Sequence, residues 1–291
     1  MSIGSEGVAI AEVHRALGAA KPKLLHCAYV EDDGREAVSR AVRGLSRRHL
    51  PTVSVLPSGG YHLLLVEAPE VPPEELRAAI RWRIKDLIDY HIDDAVIDVF
   101  QMPGQGRGGA HRMMYAIAAK ADGVKAQVAT VESVGLKLDA IDILELSLRN
   151  VAAALEENNR GVALLHLGAR SSILLLLRKG VLYLTRRIET GIETLSDADA
   201  LRSELIAGLA LEARRSLDYF ESHYEQDAIS VLYTSGLDPS DQDLLAAELS
   251  ISVRNVGLAS FLDTDIEISD EVQRRCLPAI GAALRKDQVA L

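Results

Sequence analysis

The stretch from Gly161 to Ile192 constrains this chain most. It reads Gly-Val-Ala-Leu-Leu-His-Leu-Gly-Ala-Arg-Ser-Ser, then Ile-Leu-Leu-Leu-Leu-Arg-Lys-Gly, then Val-Leu-Tyr-Leu-Thr-Arg-Arg-Ile. Three apolar runs of strand length are separated by two short breaks, each holding a glycine. That pattern predicts a three-stranded antiparallel meander with turns near Gly168 to Ser172 and at Lys179-Gly180.

The flanking sequence alternates strands and helices. Strands are expected over 7–13, 23–30, 52–56, 61–67, 95–102, 112–119, 137–143, 228–233 and 251–256. Helices are expected over 35–49, 72–88, 123–134, 144–157, 195–225, 239–249 and 270–284. Pro72-Pro73-Glu74-Glu75 is a strong helix start, because proline fits the first turn and acids complement the helix dipole. On that helix Leu76, Ile80, Ile84 and Leu87 recur at three- and four-residue steps and define a buried stripe, with Trp82 on the opposite face. Strands followed by helices in two successive halves argue for an α/β protein of two lobes.

Composition excludes several classes. Lys plus Arg is 32 and Asp plus Glu is 42, a net charge of -10, which argues against a general nucleic-acid binder needing a basic face. The basic cluster Arg43, Arg47, Arg48, His49 is read as charge complementing a helix C-terminus. Cys27 and Cys276 show no CxxC or zinc-type spacing and read as two free thiols in a reducing compartment. Met-Ser-Ile-Gly-Ser-Glu-Gly carries no cationic n-region or apolar h-region, and no apolar run approaches the roughly 18 residues of a membrane span. A cytoplasmic, soluble chain is the expectation.

Catalytic motifs are scarce. Gly104-Gln-Gly106-Arg-Gly108-Gly109 matches GxGxxG, but a dinucleotide fingerprint must open a helix and a strand is expected to follow here, so it reads as a hairpin loop. No Walker-type GxxxxGK[ST], HExxH or GxSxG occurs, and the eight histidines show no HxxxH pairing.

The blocks of the chain taken in order resemble the pilus-assembly PilM family, and within it the MshI branch. They are Leu63-Leu-Leu-Val-Glu-Ala-Pro, Glu74-Glu-Leu-Arg-Ala-Ala-Ile-Arg-Trp-Arg-Ile-Lys-Asp-Leu-Ile and Asp93-Asp-Ala-Val-Ile-Asp-Val-Phe. Further on come Ala116-Ile-Ala-Ala-Lys, Glu132-Ser-Val-Gly-Leu, Ala140-Ile-Asp-Ile-Leu-Glu and Leu211-Glu-Ala-Arg-Arg-Ser-Leu-Asp-Tyr-Phe. The resemblance implies an actin-like (ASKHA) α/β fold: a first lobe from 1–60 plus 136–157, an inserted subdomain at 61–135, and a second lobe at 158–291. It also implies a cytoplasmic protein held at the inner membrane by the N-terminal cytoplasmic tail of a PilN-like protein.

In ATP-binding relatives of this fold, two loops of the type Asp-x-Gly cradle phosphates and organise magnesium, and a Gly-Gly-Gly loop receives the adenosine. Here Ser2-Ile3-Gly4-Ser5 puts Ser for the first Asp, His166 stands for the second, and Ser235-Gly236-Leu237 replaces the glycines. Neither serine nor imidazole substitutes for a carboxylate toward hydrated magnesium. The strand before the first loop is expected to be missing or very short.

The resemblance thus implies a vestigial nucleotide pocket at Gly4, Ser5, Gly168, Ala169, Ser235 and Gly236 without cofactor, in a non-enzymatic pilus-assembly scaffold. The alternative is an ATP/Mg-dependent switch with little hydrolysis, since phosphate cradling relies on backbone N–H groups more than on side chains. A partner peptide is expected to add a strand to an edge or to lie in the groove between the first lobe and the insert, with Trp82, Arg83, Asp86 and Tyr90 as a rim. A homodimer is compatible with this reading; nucleic acid and a metal site are not expected.

Overall fold

The computed structural model describes residues 1–4, 6–16, 18, 20–32, 34–46, 50–102, 112–157, 159–197 and 199–286. The glycine-rich segment Gly104 to Gly109, Ser5, and Arg47 to His49 lie outside the described residues.

The predicted meander forms as β9 (Val162–Leu167), β10 (Ser172–Arg178) and β11 (Val181–Ile188), with Leu167 opposite Ser172 and Arg178 opposite Val181. Lys179 and Gly180 both take positive φ, 54° and 70°, the two-residue turn whose twist matches the flanking strands. β12 (Val231–Ser235) joins β9 in parallel and β13 (Ser252–Asn255) joins β12, completing a five-stranded sheet. β9 and β10 are continuous apolar runs because both faces are covered. Val162, Leu164, Ile173 and Leu175 enter one buried cluster, and Ala163, Leu165, Leu174 and Leu176 the other.

The first sheet has six strands. β1 (Ser2–Gly4), three residues long, lies between β2 (Gly7–His14) and β4 (Pro51–Val55); β3 (Lys23–Val30) lies beyond β2, and β8 (Lys137–Asp142) beyond β4. α1 (Arg35–Ala41) and α3 (Ala121–Glu132) cover one face through Ala37, Val38, Ala41 and Val131. The helix expected to reach residue 49 stops early: a short 3-10 turn follows α1, Leu45 is extended, and the Ser46 amide bonds the Glu12 carboxylate at 2.8 Å.

Between β4 and α3 stands a three-stranded sheet of β5 (Tyr61–Glu67), β7 (Met113–Lys120) and β6 (Ala95–Gln101), in spatial order β5-β7-β6. α2 (Leu76–Ile84) seats Ile80 and Ile84 against Val66, Val99 and Met114. The predicted stripe ends there. The Leu87 amide bonds the Ile84 carbonyl in a three-residue turn, so Leu87 is 55% exposed instead of buried.

Two helices cross between the sheets. α4 (Leu144–Leu155), counted above with the first lobe, packs on β9, β10 and β11. α8 (Asp270–Ala283), counted with the second, packs on β2, β3 and β4, and the two-residue β14 (Asp263–Thr264) pairs with β3. Division by packing therefore differs from division by chain position, since each half closes with a helix that covers the other half's sheet. The far face of the second sheet carries α6 (Arg202–Tyr224) and α7 (Pro239–Leu249), with the short α5 (Ile192–Asp197) ahead of α6 where one long helix was expected.

Candidate functional site

Strand pairing brings two of the expected pocket loops together, because Ser235 at the end of β12 lies opposite His166 in β9. Gly168 and Ala169 sit in the turn after β9, partly buried, while Gly4 ends β1 opposite Gly7. What occupies the space among these loops is the first half of α8. The Arg274 guanidinium is buried and donates to the Leu167 carbonyl at 3.3 Å. Gly236, at φ +102°, has no room for a side chain: a Cβ there would stand 2.6 Å from the Arg274 Cδ and 3.2 Å from Leu167 Cβ. Arg275 turns the other way, to Glu6 Oε2 at 3.5 Å and to the Tyr29 hydroxyl at 2.7 Å, with its guanidinium 4.6 Å from the Tyr29 ring centre.

The polar side chains at this place include one imidazole and one guanidinium. His166 is buried, and burial followed by the nearby Arg274 charge holds it down to about 3, so it is neutral at pH 7. Its Nδ1 meets no hydrogen-bond partner among the described residues. The Gly168 amide is donated to the Ser171 carbonyl at 3.0 Å, and Leu237 is buried in the second core. Among the described residues no three His, Cys, Asp or Glu side chains converge in a way that could hold a metal ion. Two acids of the neighbouring strands are ion-paired: Asp142 with Arg285 at 3.3 Å, and Glu189 with Arg187 at 3.2 Å.

A second site is a cleft of about 740 Å³ between the first sheet, the inserted sheet and the end of α8. Glu12, Leu50, Arg77, Asp98, Asp139 and Arg285 are among its lining residues, so apolar floor and both signs of charge alternate there. α2 contributes Arg77, which pairs with Asp98 at 3.0 Å. None of the four residues expected as a rim lines it. Trp82 is 71% exposed with Lys85 Nζ 5.5 Å from its ring centre; Arg83 pairs with Glu67 at 3.3 Å; Asp86 is exposed. Tyr90 lies beside His62, with ring centres 5.7 Å apart.

Sequence reading missed Arg274, Arg275 and the cleft residues. Arg274 meets Leu167 across 107 positions and Arg275 meets Glu6 across 269, separations that no local periodicity reports.

No protein-family model matches the chain, and no curated protein matches it. Solved structures do. A chain of the PilM–PilN type IV pilus biogenesis complex superposes with a TM-score of 0.74 at 21% identity, over 97% of this chain and 95% of that one. The cytoplasmic domain of EpsL, an inner-membrane component of the type II secretion system of Vibrio cholerae, gives 0.52 at 12% identity over 99% and 94%. A Bacteroides thetaiotaomicron protein described as having an actin-like ATPase fold and unknown function gives 0.50 at 8% identity over 94% of each chain. The fold is therefore actin-like, with two lobes. Among the described residues no helix is long and apolar enough to cross a membrane.

Proposed function

We propose that this chain is a non-enzymatic scaffold of a type IV pilus inner-membrane assembly complex, of the PilM kind and its MshI branch. It works in the cytoplasm, peripheral to the inner membrane, by holding the N-terminal cytoplasmic tail of a PilN-like protein. The observation that carries the reading is end-to-end likeness to a chain of the PilM–PilN complex, 97% of this chain at a TM-score of 0.74, so the inserted sheet falls within the match. The cleft between that insert and the first sheet supports it as the place where a peptide lies, since extended or helical segments bind in such grooves through apolar anchors with a charged margin.

A pseudo-ATPase is supported by the buried neutral His166, the cover that Arg274 forms over Gly236, and the engaged acids. One observation favours the second reading, a nucleotide-binding switch: the Arg274 guanidinium lies beside the loops at Leu167 and Gly236, and a cation there suits phosphate. Calorimetric titration with ATP and magnesium, backed by thermal shift, separates the two. No heat and no shift are expected; tight binding moves the assignment to the switch. Steady-state turnover lost on Glu189→Gln or Asp142→Asn overturns the non-enzymatic reading. A parallel titration with a peptide of a PilN-like tail tests the scaffold role, and absence of binding overturns it.

A further inference from the structure

The two cysteines, 249 positions apart in the chain, are brought to one place by the fold. Cys276 on α8 is wholly buried, and its thiol donates to the carbonyl of Ala28, the residue after Cys27 on β3, at 3.3 Å. Cys27 is half-buried and packs against the same apolar cluster. The register is fixed one residue away, where Arg275 bonds the hydroxyl of Tyr29 and lies over its ring; Cys27 and Tyr29 point to the same face of β3. We infer that Cys27 and Cys276 form an oxidisable thiol pair, a modification site at which a low-molecular-weight disulfide of the glutathione class closes a bond that fastens α8 to the first sheet.

The chemistry follows from the unequal environments. The neighbouring Cys276 thiol holds Cys27 below the ordinary thiol range, while the proximity of Cys27 and burial push Cys276 up, so the more accessible Cys27 is the attacking thiolate. Cys27 attacks the small disulfide, forming a mixed disulfide and releasing one small thiolate. Cys276 then attacks the Cys27 sulfur and expels the second, its proton passing to that leaving thiolate. Two protein thiols are oxidised and one small disulfide is reduced to two thiols. The consequence is positional: the bond falls next to Arg274 and Arg275, so α8 is fixed where it fills the space among the three loops.

The test uses the whole chain incubated with oxidised glutathione over a range of reduced-to-oxidised ratios, quenched with iodoacetamide and read by intact mass and peptide mapping. The expected product is monomeric, about 2 mass units lighter than the dithiol, with Cys27 and Cys276 joined, and melts roughly 5–10 °C higher because a long loop is closed. Cys276→Ala stops at a glutathione adduct on Cys27, and Cys27→Ala leaves the buried Cys276 unmodified. Both variants keep an apolar side chain, and a wild-type melting transition before oxidation verifies their fold. A stable adduct on Cys27 in the wild-type chain, cross-links only between chains, or two cysteines that alkylate independently overturns the inference.

Discussion

Gly281 tests the packing on which the two-lobed arrangement rests, because two known effects of one substitution oppose each other there. Glycine inside a helix is less stable than alanine by about 1 kcal/mol, so Gly281→Ala in α8 improves the helix considered alone. Yet a Cβ at this position would stand 2.1 Å from the Ser147 carbonyl oxygen and 2.7 Å from its carbon, backbone atoms of α4 that cannot swing aside. α4 and α8 must part by about 1 Å in a close-packed interior. Overpacking of this kind costs about 1–3 kcal/mol. The Asn150 amide to Gly281 carbonyl bond, 2.9 Å, and the Ser147 hydroxyl to Pro278 carbonyl bond are both loosened by the same movement, adding about 0.5–1.5 kcal/mol for each bond lost.

The clash wins, and Gly281→Ala is expected to be destabilised by about 1–5 kcal/mol, a fall in Tm of roughly 2–8 °C at this chain length. The control is Gly208→Ala, in α6, where no atom lies within 4 Å of the added Cβ. There only helix propensity acts, and the variant gains about 0.5–1 kcal/mol. Scanning calorimetry on the three proteins reads both signs. If Gly281→Ala melts at or above the wild type while Gly208→Ala gains, α4 and α8 do not approach as described and the crossing of the two lobes is wrong.

His166 adds acid sensitivity. Its folded value near 3 lies below the unfolded 6.5, so its share of stability is complete above pH 6.5 and is lost as pH falls toward 3, at up to about 1.4 kcal/mol per pH unit; urea midpoints for wild type and His166→Asn across this window should converge as pH falls. Glu156 accepts backbone N–H bonds from Gly161, Lys179 and Gly180 at 3.1, 2.7 and 2.8 Å, so Glu156→Ala should lower stability by about 2 kcal/mol, and Glu156→Gln, which keeps one acceptor oxygen, by less; equal melting of all three proteins refutes this. Leu50→Asp places a charge in the cleft at a position already 38% exposed, so folding is spared while affinity for the PilN-like tail falls about tenfold or more; Trp82→Ala in the same titration reports whether the exposed indole takes part.

Where the sequence was readable, short-range physics was sufficient. The segments Lys23–Val30, Tyr61–Glu67 and Pro239–Leu249 have their predicted limits, because apolar runs there are bounded by glycine or proline chemistry that acts over a few residues. Helical period alone put Trp82 on the exposed face of α2. The period misled at Leu87, where the helix had already ended, and at Leu45 to Ser46, where Glu12 takes the Ser46 amide from 34 positions away. The loops at Gly168 and Ser235 were legible as departures from the Asp-x-Gly and triple-glycine patterns. Their filling was not, since nothing around Arg274 marks it as the partner of Leu167 and Gly236 until α8 is laid across the first sheet.

α8 also decides how the scaffold and switch readings can be told apart. Arg274, among the three loops, and Ala283, which ends α8 at the cleft, are nine residues apart, about 14 Å along a helix at 1.5 Å per residue. Between them Cys276 contacts β3 and Gly281 contacts α4, so the helix is held by both lobes along its length. A ligand among the loops changes affinity in the cleft only if it prefers one position of this helix, and the coupling must then be equal in both directions. With Arg274 already seated on Leu167, entry of ATP requires that contact to break and α8 or its side chain to shift. A switch therefore shows a tail affinity that changes with saturating ATP and an ATP affinity that changes with saturating tail by the same factor. In a scaffold the tail binds with one affinity whether or not ATP is present, and Arg274→Ala, which empties the space among the loops without touching the cleft, leaves that affinity unchanged.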